Sequence, residues 1–328
     1  MTTEIKDMYA SLSPQDCGCR TTFCPHCQSG DFKRHGFFKR KDDARRIQRF
    51  YCKACQRTFS RAGFSLLYRH WHRRRNEMIR KLLSVGNTQR DIAYVLKIDK
   101  DTVARRLVIL GKAARIRMLR EREKAPQADC VQFDELISFE HTKMKPLSIA
   151  VISDADRWRI LDVQVSTLPA SGLLAKKARE KYGFRPDTSE TGRTRMMARS
   201  VSSIHAKARV STDKHAAYPA LIKRFLPKAT HIRHLGAKGA VVGQGELKQL
   251  GFDPLFCINH QFASHRAGLS RLARRTWCTT KNVERLKDHL MIYLDYYNRE
   301  RRPKRAREFE RYLAQANQIV KKAKGNPT

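Results

Sequence analysis

The alternation of apolar and polar residues changes along the chain, and each change predicts a different kind of element. Two short aromatic-rich segments, 37–40 and 47–51, are typical of an antiparallel hairpin. From Asn76 onwards the apolar residues recur at helical spacing, first around Leu82 and then around Ile92. These patterns predict a small β-module followed by a helical module.

Beyond residue 130 the pattern becomes strand-like. Segments 131–139, 147–152 and 160–165 follow one another closely, which predicts an antiparallel meander. Further along, the pattern predicts a helix over 173–182, a strand over 208–213, a helix over 215–225 and a strand over 230–234. Strands followed by strand–helix units indicate an α/β domain with a mixed sheet and helices on its faces.

The helical module has the signals of a helix-turn-helix. Thr88 predicts an N-cap with Asp91 three residues on, residues 97–100 predict a turn, and a third helix is expected to begin at Asp101 or Thr102. We expect six side chains to contact DNA: Gln89, Arg90, Lys100, Thr102, Arg105 and Arg106. The alternative is a plain three-helix core with solvated arginines.

Composition narrows the class of partner. The 328 residues include 68 Lys and Arg against 31 Asp and Glu, a net charge of +37, and the excess is divided almost equally between the two halves. So basic a chain favours a phosphate backbone over a membrane surface as its partner. No apolar run approaches the ~20 residues that span a bilayer, and no signal-peptide core is present. We therefore expect a cytoplasmic, nucleoid-associated protein that does not bind membranes.

Six of the nine cysteines lie within the first 55 residues. Cys24 and Cys27 form one C-x2-C pair, and Cys52 and Cys55 form a second pair 24 residues later. Two such pairs can supply the four thiolates of a structural zinc site, so we expect a zinc ribbon. Cys17 and Cys19 are either alternative ligands or part of a leader. The other three cysteines are typical of buried thiols: Cys130, Cys257 and Cys278.

Two aspartates occupy unusual places in the second half. Asp134 lies inside the first predicted strand and Asp213 ends the fourth. A carboxylate within an apolar strand is costly to bury unless it binds a cation or is paired. The two can therefore hold Mg²⁺ or Mn²⁺ for phosphodiester chemistry. The alternative is that Asp134 pairs with an arginine and Asp213 caps the following helix.

Three stretches resemble a known family of enzymes. They are Phe133-Asp134-Glu135, then Ser211-Thr-Asp213-Lys-His-Ala-Ala-Tyr218, and then Ile258-Asn259-His260 followed by a basic segment up to Glu284. In order and spacing they resemble the acidic blocks of insertion-sequence transposases of the DDE type, in particular the insertion-sequence-one family. The resemblance covers most of residues 24–298. It implies a zinc ribbon, a helix-turn-helix and an RNase H-like catalytic domain.

The resemblance implies a third ligand at Asn259, where the family has a glutamate. An amide oxygen can bind Mg²⁺ but cannot serve as a base. Nearby acids that can replace it are Glu246, Asp253 and Glu284, and an inactive copy is a further alternative. Arg266 lies two helical turns after Asn259 and is either a phosphate contact or a solvated arginine. A basic cluster close to Trp277 is expected to contact the DNA backbone: Arg271, Arg274 and Arg275.

The sequence thus predicts five segments, joined around residues 121–128 by a polar linker. They are a leader (1–23), a zinc ribbon (24–62), a helix-turn-helix domain (70–122), an RNase H-like domain (129–298) and a basic C-terminal arm (299–328). The expected function is that of a transposase that binds double-stranded DNA, and acting on two element ends implies a homo-oligomer. Two alternatives stay open: a non-catalytic DNA-binding regulator and a zinc-ribbon RNA-binding or ribosome-associated protein.

Overall fold

The computed structural model describes residues 23–41, 44–64, 73–235, 253–273 and 277–302. Several residues singled out above lie outside these ranges: Cys17, Cys19, Glu246, Arg274, Arg275 and most of the basic C-terminal arm. Within the described part of the chain, no helix is long and apolar enough to cross a bilayer.

The N-terminal part is a three-stranded antiparallel sheet in the order β1-β2-β3. Its strands are β1 (Phe32–Lys39), β2 (Arg46–Cys52) and β3 (Thr58–Ser60). The predicted hairpin is therefore confirmed. Phe32, Phe50 and Phe59 pack with ring centroids 5.4–5.5 Å apart, beside the buried Cys24 and Cys52. This small aromatic cluster is the core of the N-terminal sheet.

Three helices follow: α1 (Arg75–Ser84), α2 (Gln89–Leu96) and α3 (Lys100–Lys124). The Thr88 hydroxyl accepts from the Asp91 N–H, and the Asp91 carboxylate accepts from the Thr88 N–H, so the predicted capping box is present. The Asp99 carboxylate accepts from two backbone N–H groups and caps α3. Because of this cap, α3 begins at Lys100, one residue earlier than the sequence pattern suggested.

Helix α3 extends through the first half of the expected linker. It ends at Lys124 rather than before residue 121. Near its end, the Arg122 guanidinium donates to the carbonyl of Leu161 at 2.7 Å and lies 3.6 Å from the Asp162 carboxylate. These contacts fix the polar end of α3 to the second half of the chain.

The second half contains a five-stranded mixed sheet in the order β6-β5-β4-β7-β8. The strands are β4 (Ala128–Phe139), β5 (Pro146–Asp154), β6 (Arg159–Thr167), β7 (Ile204–Asp213) and β8 (Thr230–His234). The first three are antiparallel, whereas β7 runs parallel to both β4 and β8. The predicted meander and the two later strands are confirmed, and the mixed α/β arrangement is compatible with an RNase H-like fold.

Helices cover both faces of this sheet. They are α4 (Ala175–Tyr182), α5 (Ser189–Ser200), α6 (Tyr218–Phe225), α7 (Phe256–Gly268) and α8 (Val283–Tyr296). Phe133 and Ile152 face one core with Met196 of α5 and Tyr218 of α6. The opposite face, with residues such as Ile149, packs against α3, α7 and α8. Asp134 alternates with Phe133 and therefore belongs to this second face.

The helical module and the sheet share one hydrophobic core. Ile79, Ile92 and Val103 of the first three helices belong to the same buried cluster as Ile149 of β5 and Leu290 of α8. At Gly111, α3 comes so close to α8 that an added Cβ would lie 2.7 Å from the Asp288 Cβ. The first three helices therefore pack on the sheet domain rather than forming a core of their own.

Candidate functional site

The two predicted aspartates lie side by side on neighbouring parallel strands. The register of β4 and β7 pairs Gln132 with Ser211 and Phe133 with Thr212. Asp134 and Asp213 are each the next residue along. Because side chains alternate between faces at the same rate on both strands, the two carboxylates project from the same face.

Helix α7 is docked on that face through Gln132, which lies two residues before Asp134 on β4. The Gln132 amide donates to the carbonyl of Pro254 at 2.8 Å, and its oxygen accepts from the N–H of Ile258 at 2.9 Å. Gln132 and Asp134 share a face because they are two positions apart on a strand. The first turn of α7 is therefore fixed beside the two aspartates.

Asn259 lies in this docked turn, immediately after Ile258. Its amide nitrogen donates to the Asp253 carboxylate at 2.8 Å, and the other oxygen of Asp253 accepts from the N–H of Leu255 at 3.0 Å. Asp253 thus fixes the turn that leads into α7 and holds the Asn259 amide nitrogen, so the amide oxygen points away from that carboxylate. The structure thus places Asp134 and Asp213 on one face of the sheet and Asn259 in the helix that is docked on that face.

The electrostatics of a nearby tyrosine support this proximity. Burial raises the pKa of the Tyr218 hydroxyl far above its usual range. The carboxylates of Glu135, Asp134 and Asp213 raise that pKa further, so all three lie within electrostatic reach of one hydroxyl. Glu135 points to the opposite face, where the Arg193 guanidinium pairs with it at 3.1 Å.

The structure adds a histidine that the sequence pattern did not single out. His234 ends β8 and pairs with Asp213 of β7 in the parallel register. It is half-buried and lies on the same face as Asp213. The sequence did place His234 at the end of a predicted strand. That strand is too short for its pattern to show on which face of the sheet His234 lies.

Glu284 lies elsewhere. It is in the first turn of α8, where Asn282 caps the helix and Lys287 pairs with the Glu284 carboxylate at 2.7 Å. Together with Arg115 and Arg195 it lines a cavity of about 350 Å³ between α3, α5, α8 and the outer strand β6. Glu246 lies outside the described residues.

The four cysteines of the N-terminal sheet converge. All four sulfur atoms lie within 4.8 Å of one another, with Cys24 and Cys55 at 3.7 Å and Cys27 and Cys52 at 3.5 Å. Each pair is followed by a glutamine with positive φ, Gln28 and Gln56, so the two turns have the same backbone shape. These thiols can bind zinc, because Zn–S bonds of ~2.3 Å place the sulfurs of a tetrahedral site about 3.8 Å apart.

The close packing of the four thiols shifts two of their pKa values in opposite directions, and burial with the neighbouring thiols raises the pKa of Cys27 to about 12. A hydrogen bond from the Cys55 backbone, together with the neighbouring thiols, lowers the pKa of Cys52 to about 7. A lower pKa favours the thiolate, which is the form that binds metal. Within the described residues, these four cysteines are the one group of three or more His, Cys, Asp or Glu side chains close enough to share an ion.

The predicted DNA-contacting side chains of the helices differ in exposure. Arg90, Lys100 and Arg105 are exposed, and Gln89 and Thr102 are half-buried. Arg106 is only 8% exposed and turns towards the core, so it does not share the surface of Arg105.

The basic residues near the C-terminus are only partly described. Arg266 and Arg271 are half-buried, and burial lowers the pKa of Arg271. Trp277 is fully exposed.

Comparisons with known proteins give little further information. No family model matches this chain, and no curated protein matches it. One similar solved structure is the crystal structure of the Mos1 mariner paired end complex with Mn. It is 13% identical, covers 70% of this chain and 77% of that chain, and has a TM-score of 0.23. A TM-score of this size does not establish a common fold.

Proposed function

We propose that this chain is the transposase of an insertion sequence and that it cuts and joins DNA strands at Asp134, Asp213 and Asn259. The observation that carries the proposal is the in-register placement of the two aspartates on adjacent parallel strands, with Asn259 in the helix docked beside them. In a chain of net charge +37, a cation bound between Asp134 in the middle of β4 and Asp213 at the end of β7 would allow both carboxylates to face a phosphate.

The donor set fits Mg²⁺ or Mn²⁺, which prefer oxygen ligands. Bound there, such a cation activates the attacking oxygen and stabilises the leaving oxygen of a phosphodiester. Asp134 and Asp213 supply the negative charge, and the Asn259 amide oxygen is a neutral ligand whose direction is set by Asp253. Because the amide is not a base, proton transfer to the protein at this site would fall on the two carboxylates or on the His234 imidazole beside Asp213.

The proposed reaction has two steps, a hydrolysis and then a strand transfer. Water first breaks a P–O bond at the element end and leaves a free 3′-hydroxyl. That hydroxyl then attacks a phosphodiester of the target DNA, so one P–O bond forms as another breaks and no covalent protein intermediate is needed.

The remaining parts of the chain would bring the DNA to this site. The exposed Arg90, Lys100 and Arg105 are placed to read or hold the terminal repeats, by analogy with other helix-turn-helix proteins. The four-cysteine site would hold structural zinc. Because two ends must be joined, we propose that a homo-oligomer is the active form.

The test is cleavage by the purified full-length chain on double-stranded DNA carrying the ends of its element. We expect nicking and strand transfer in Mg²⁺ or Mn²⁺ and their loss in Asp134→Ala and Asp213→Ala. Asp129→Ala is the matched control, because Asp129 is an exposed aspartate on the same strand as Asp134. If Asp134→Ala and Asp213→Ala cleave DNA as well as Asp129→Ala does, the assignment is refuted.

The second candidate is a non-catalytic DNA-binding regulator. The observation in its favour is the neutral Asn259, which leaves the site one negative charge short of three carboxylates. Sequence-specific binding of the element ends without cleavage in either metal would establish it. For the third ligand, Asn259→Ala should lose activity whereas Glu284→Ala should keep it, and the reverse result would move the ligand to α8.

A further inference from the structure

Three aromatic side chains cluster at the first turn of α7. Trp158 lies in the turn between β5 and β6, and Phe256 and His260 lie one helical turn apart on α7. The Trp158 ring meets Phe256 at a centroid distance of 5.9 Å and His260 at 5.2 Å, both edge-on. Phe256 nevertheless keeps 56% of its surface exposed. We call these three residues the aromatic platform.

The backbone holds Trp158 in an uncommon conformation. Its φ is +54°, in the left-handed region that bulky residues rarely adopt. The Gln261 amide nitrogen donates to the Trp158 carbonyl at 3.3 Å, and the Gln261 oxygen accepts from the Ser153 hydroxyl. A strained residue kept in place by a side-chain network points to a function for the ring that it positions.

The platform lies next to the proposed catalytic site. Phe256 and Asn259 are three residues apart on α7, and residues at this spacing are surface neighbours with Cβ atoms about 5–6 Å apart. The same turn carries the Ile258 N–H that binds Gln132. A DNA strand whose phosphate faces Asn259 would therefore place an adjacent base within reach of Phe256.

The surroundings of the platform are basic. The Arg302 guanidinium donates to the Arg157 carbonyl at 3.1 Å, and Arg157 and Arg159 lie 3.1 and 3.8 Å from the buried Asp154 carboxylate. Around the turn there are thus three arginines against two aspartates, the buried Asp154 and the exposed Asp156, so the net charge is positive. Exposed aromatic rings within a positive rim are the usual means of binding unpaired nucleobases, because every base has a π-face and every link carries a phosphate.

We propose that the aromatic platform stacks an unpaired nucleobase of the DNA strand held at the catalytic site. A paired base is already stacked on its neighbours in the duplex, so the platform selects a base that has left the helix. The position of that base next to the cut rests on the proposed function. The stacking itself needs neither cleavage nor metal.

The test compares binding of two single strands by the full-length, zinc-loaded chain without added Mg²⁺ or Mn²⁺. The probes are an oligothymidylate of about 12 nucleotides and an abasic oligomer with the same number of phosphates. The salt concentration is raised until purely electrostatic binding is weak. We expect the wild type to prefer oligothymidylate and Phe256→Ala to lose about 5- to 150-fold of that affinity, with no change for the abasic strand.

Two variants keep the comparison interpretable. Phe256→Tyr retains an aromatic ring and should bind oligothymidylate as the wild type does. Phe184→Ala removes another phenylalanine that is 80% exposed but lies after α4, away from the platform, and should leave both affinities unchanged.

Several results would overturn the stacking proposal. They are an equal loss for both strands in Phe256→Ala, no loss for either, or no preference of the wild type for bases. A change of oligomeric state in Phe256→Ala, seen by sedimentation without loss of base-dependent binding, would assign the platform to a second copy of the chain. Base-dependent binding in a chain that never cleaves DNA would refute the proposed function and leave the stacking intact.

Discussion

At the scale of single residues, adjacent positions that look equivalent in the sequence have different surroundings. Arg105 and Arg106 both follow the predicted turn and carry the same charge. In the structure Arg105 is exposed and donates to the Thr102 hydroxyl at 3.1 Å, whereas Arg106 is buried. The helical rotation of about 100° per residue is enough to separate a surface side chain from a core one.

We therefore expect Arg105→Ala to weaken DNA binding and Arg106→Ala to lower the stability of the fold. Arg105→Ala should weaken binding to the element ends by about 1–3 kcal/mol if it contacts a base edge. Arg106→Ala should lower the free energy of unfolding, because its long side chain packs against the core. Titrating DNA and denaturing each variant with urea measure the two effects, and interchanged effects would contradict the helical register.

Asp253 offers a second test at this scale. Removing the carboxylate in Asp253→Ala frees the Asn259 amide to rotate, so its oxygen is no longer aimed. Loss of a group that orients a metal ligand typically lowers activity or metal affinity 10–100-fold. We expect a decrease of that size in nicking, partly recovered at high Mn²⁺ concentration. Full activity would show that the Asp253–Asn259 hydrogen bond serves only to hold the start of α7 in place.

At the scale of elements, close packing of α3 against α8 joins the first three helices, which are proposed to read DNA, to the sheet domain. Gly111 allows the backbone of α3 to approach Asp288 of α8, where an added Cβ would lie 2.7–2.9 Å from Asp288 atoms that include backbone. Backbone atoms cannot move aside as the end of a side chain can. The contact between these helices therefore depends on the missing side chain.

Gly111→Ala should lower the free energy of unfolding by about 1–3 kcal/mol, since overpacking outweighs the gain in helix propensity. Urea denaturation measures the change. Lys112→Ala alters the neighbouring exposed position and should stay within about 0.5 kcal/mol of the wild type. A stabilised Gly111→Ala variant would show that α3 and α8 are farther apart.

Two buried histidines make the packing of these helices sensitive to acid. Burial lowers the pKa of His265 to about 4 and that of His289 to about 3, and the His289 imidazole hydrogen-bonds to the carbonyl of Leu83 in α1. The unfolded chain binds protons at these groups near pH 6.5, whereas the folded chain leaves them neutral. Protonation therefore favours the unfolded state.

The free energy of unfolding should fall as the pH drops from about 6.5 to 4, by up to about 1.4 kcal/mol per pH unit for each histidine. Denaturation curves at several pH values measure this slope. His289→Gln should reduce the slope, and the exposed His205→Gln should leave it unchanged. A slope unaffected by His289→Gln would show that this imidazole is already protonated in the folded chain.

The strength of the local signals decided which elements could be predicted. The strands of the sheet were predictable because apolar residues alternate in them, and β8 has the predicted bounds. Helix α5 was not predicted, because it buries Gly192, Arg193 and two serines along with its methionines and so has little helical periodicity. The polar end of α3 was predicted to be a linker because its charged residues show no helical pattern. In the structure Arg122 forms an ion pair with Asp162, 40 residues away, and the sequence gives no sign of that contact.

In the candidate site, too, some residues could be predicted from local sequence patterns and others could not. Asp134 and Asp213 were predictable, since a charged residue within or at the end of an apolar strand stands out. The parallel register that pairs them, the Gln132 contacts that dock α7 and the position of His234 involve residues far apart in sequence. Such contacts leave no local pattern and required the structure.

At the scale of the whole molecule, the described residues form two kinds of core. One large cluster joins α1–α3 to the sheet and its helices, whereas the aromatic cluster around Cys24 and Cys52 is separate and small. A core of this small size needs a metal or disulfide for stability, and the four cysteines form no disulfide.

Chelation of zinc should therefore unfold β1–β3 and leave the main thermal transition nearly unchanged. Calorimetry with and without a chelator measures both, and native mass spectrometry measures the bound metal. Cys52→Ser should lose the metal, whereas Cys130→Ser, a thiol outside the cluster, should keep it. A lower main transition after chelation would show that the N-terminal sheet supports the larger core.

If the chain is the proposed transposase, the continuity of α3 fixes a distance along the DNA. Its 25 residues make a rod about 37 Å long, which begins at the residues proposed to read DNA and ends where Arg122 is fixed to β6. That length equals about eleven base pairs of duplex. A rigid helix has no hinge that could adjust to extra nucleotides. The protein would therefore fix the number of base pairs between the sequence that is read and the bond that is cut. Elements mobilised by this chain would then be free to vary in the DNA between those two points, but not in its length.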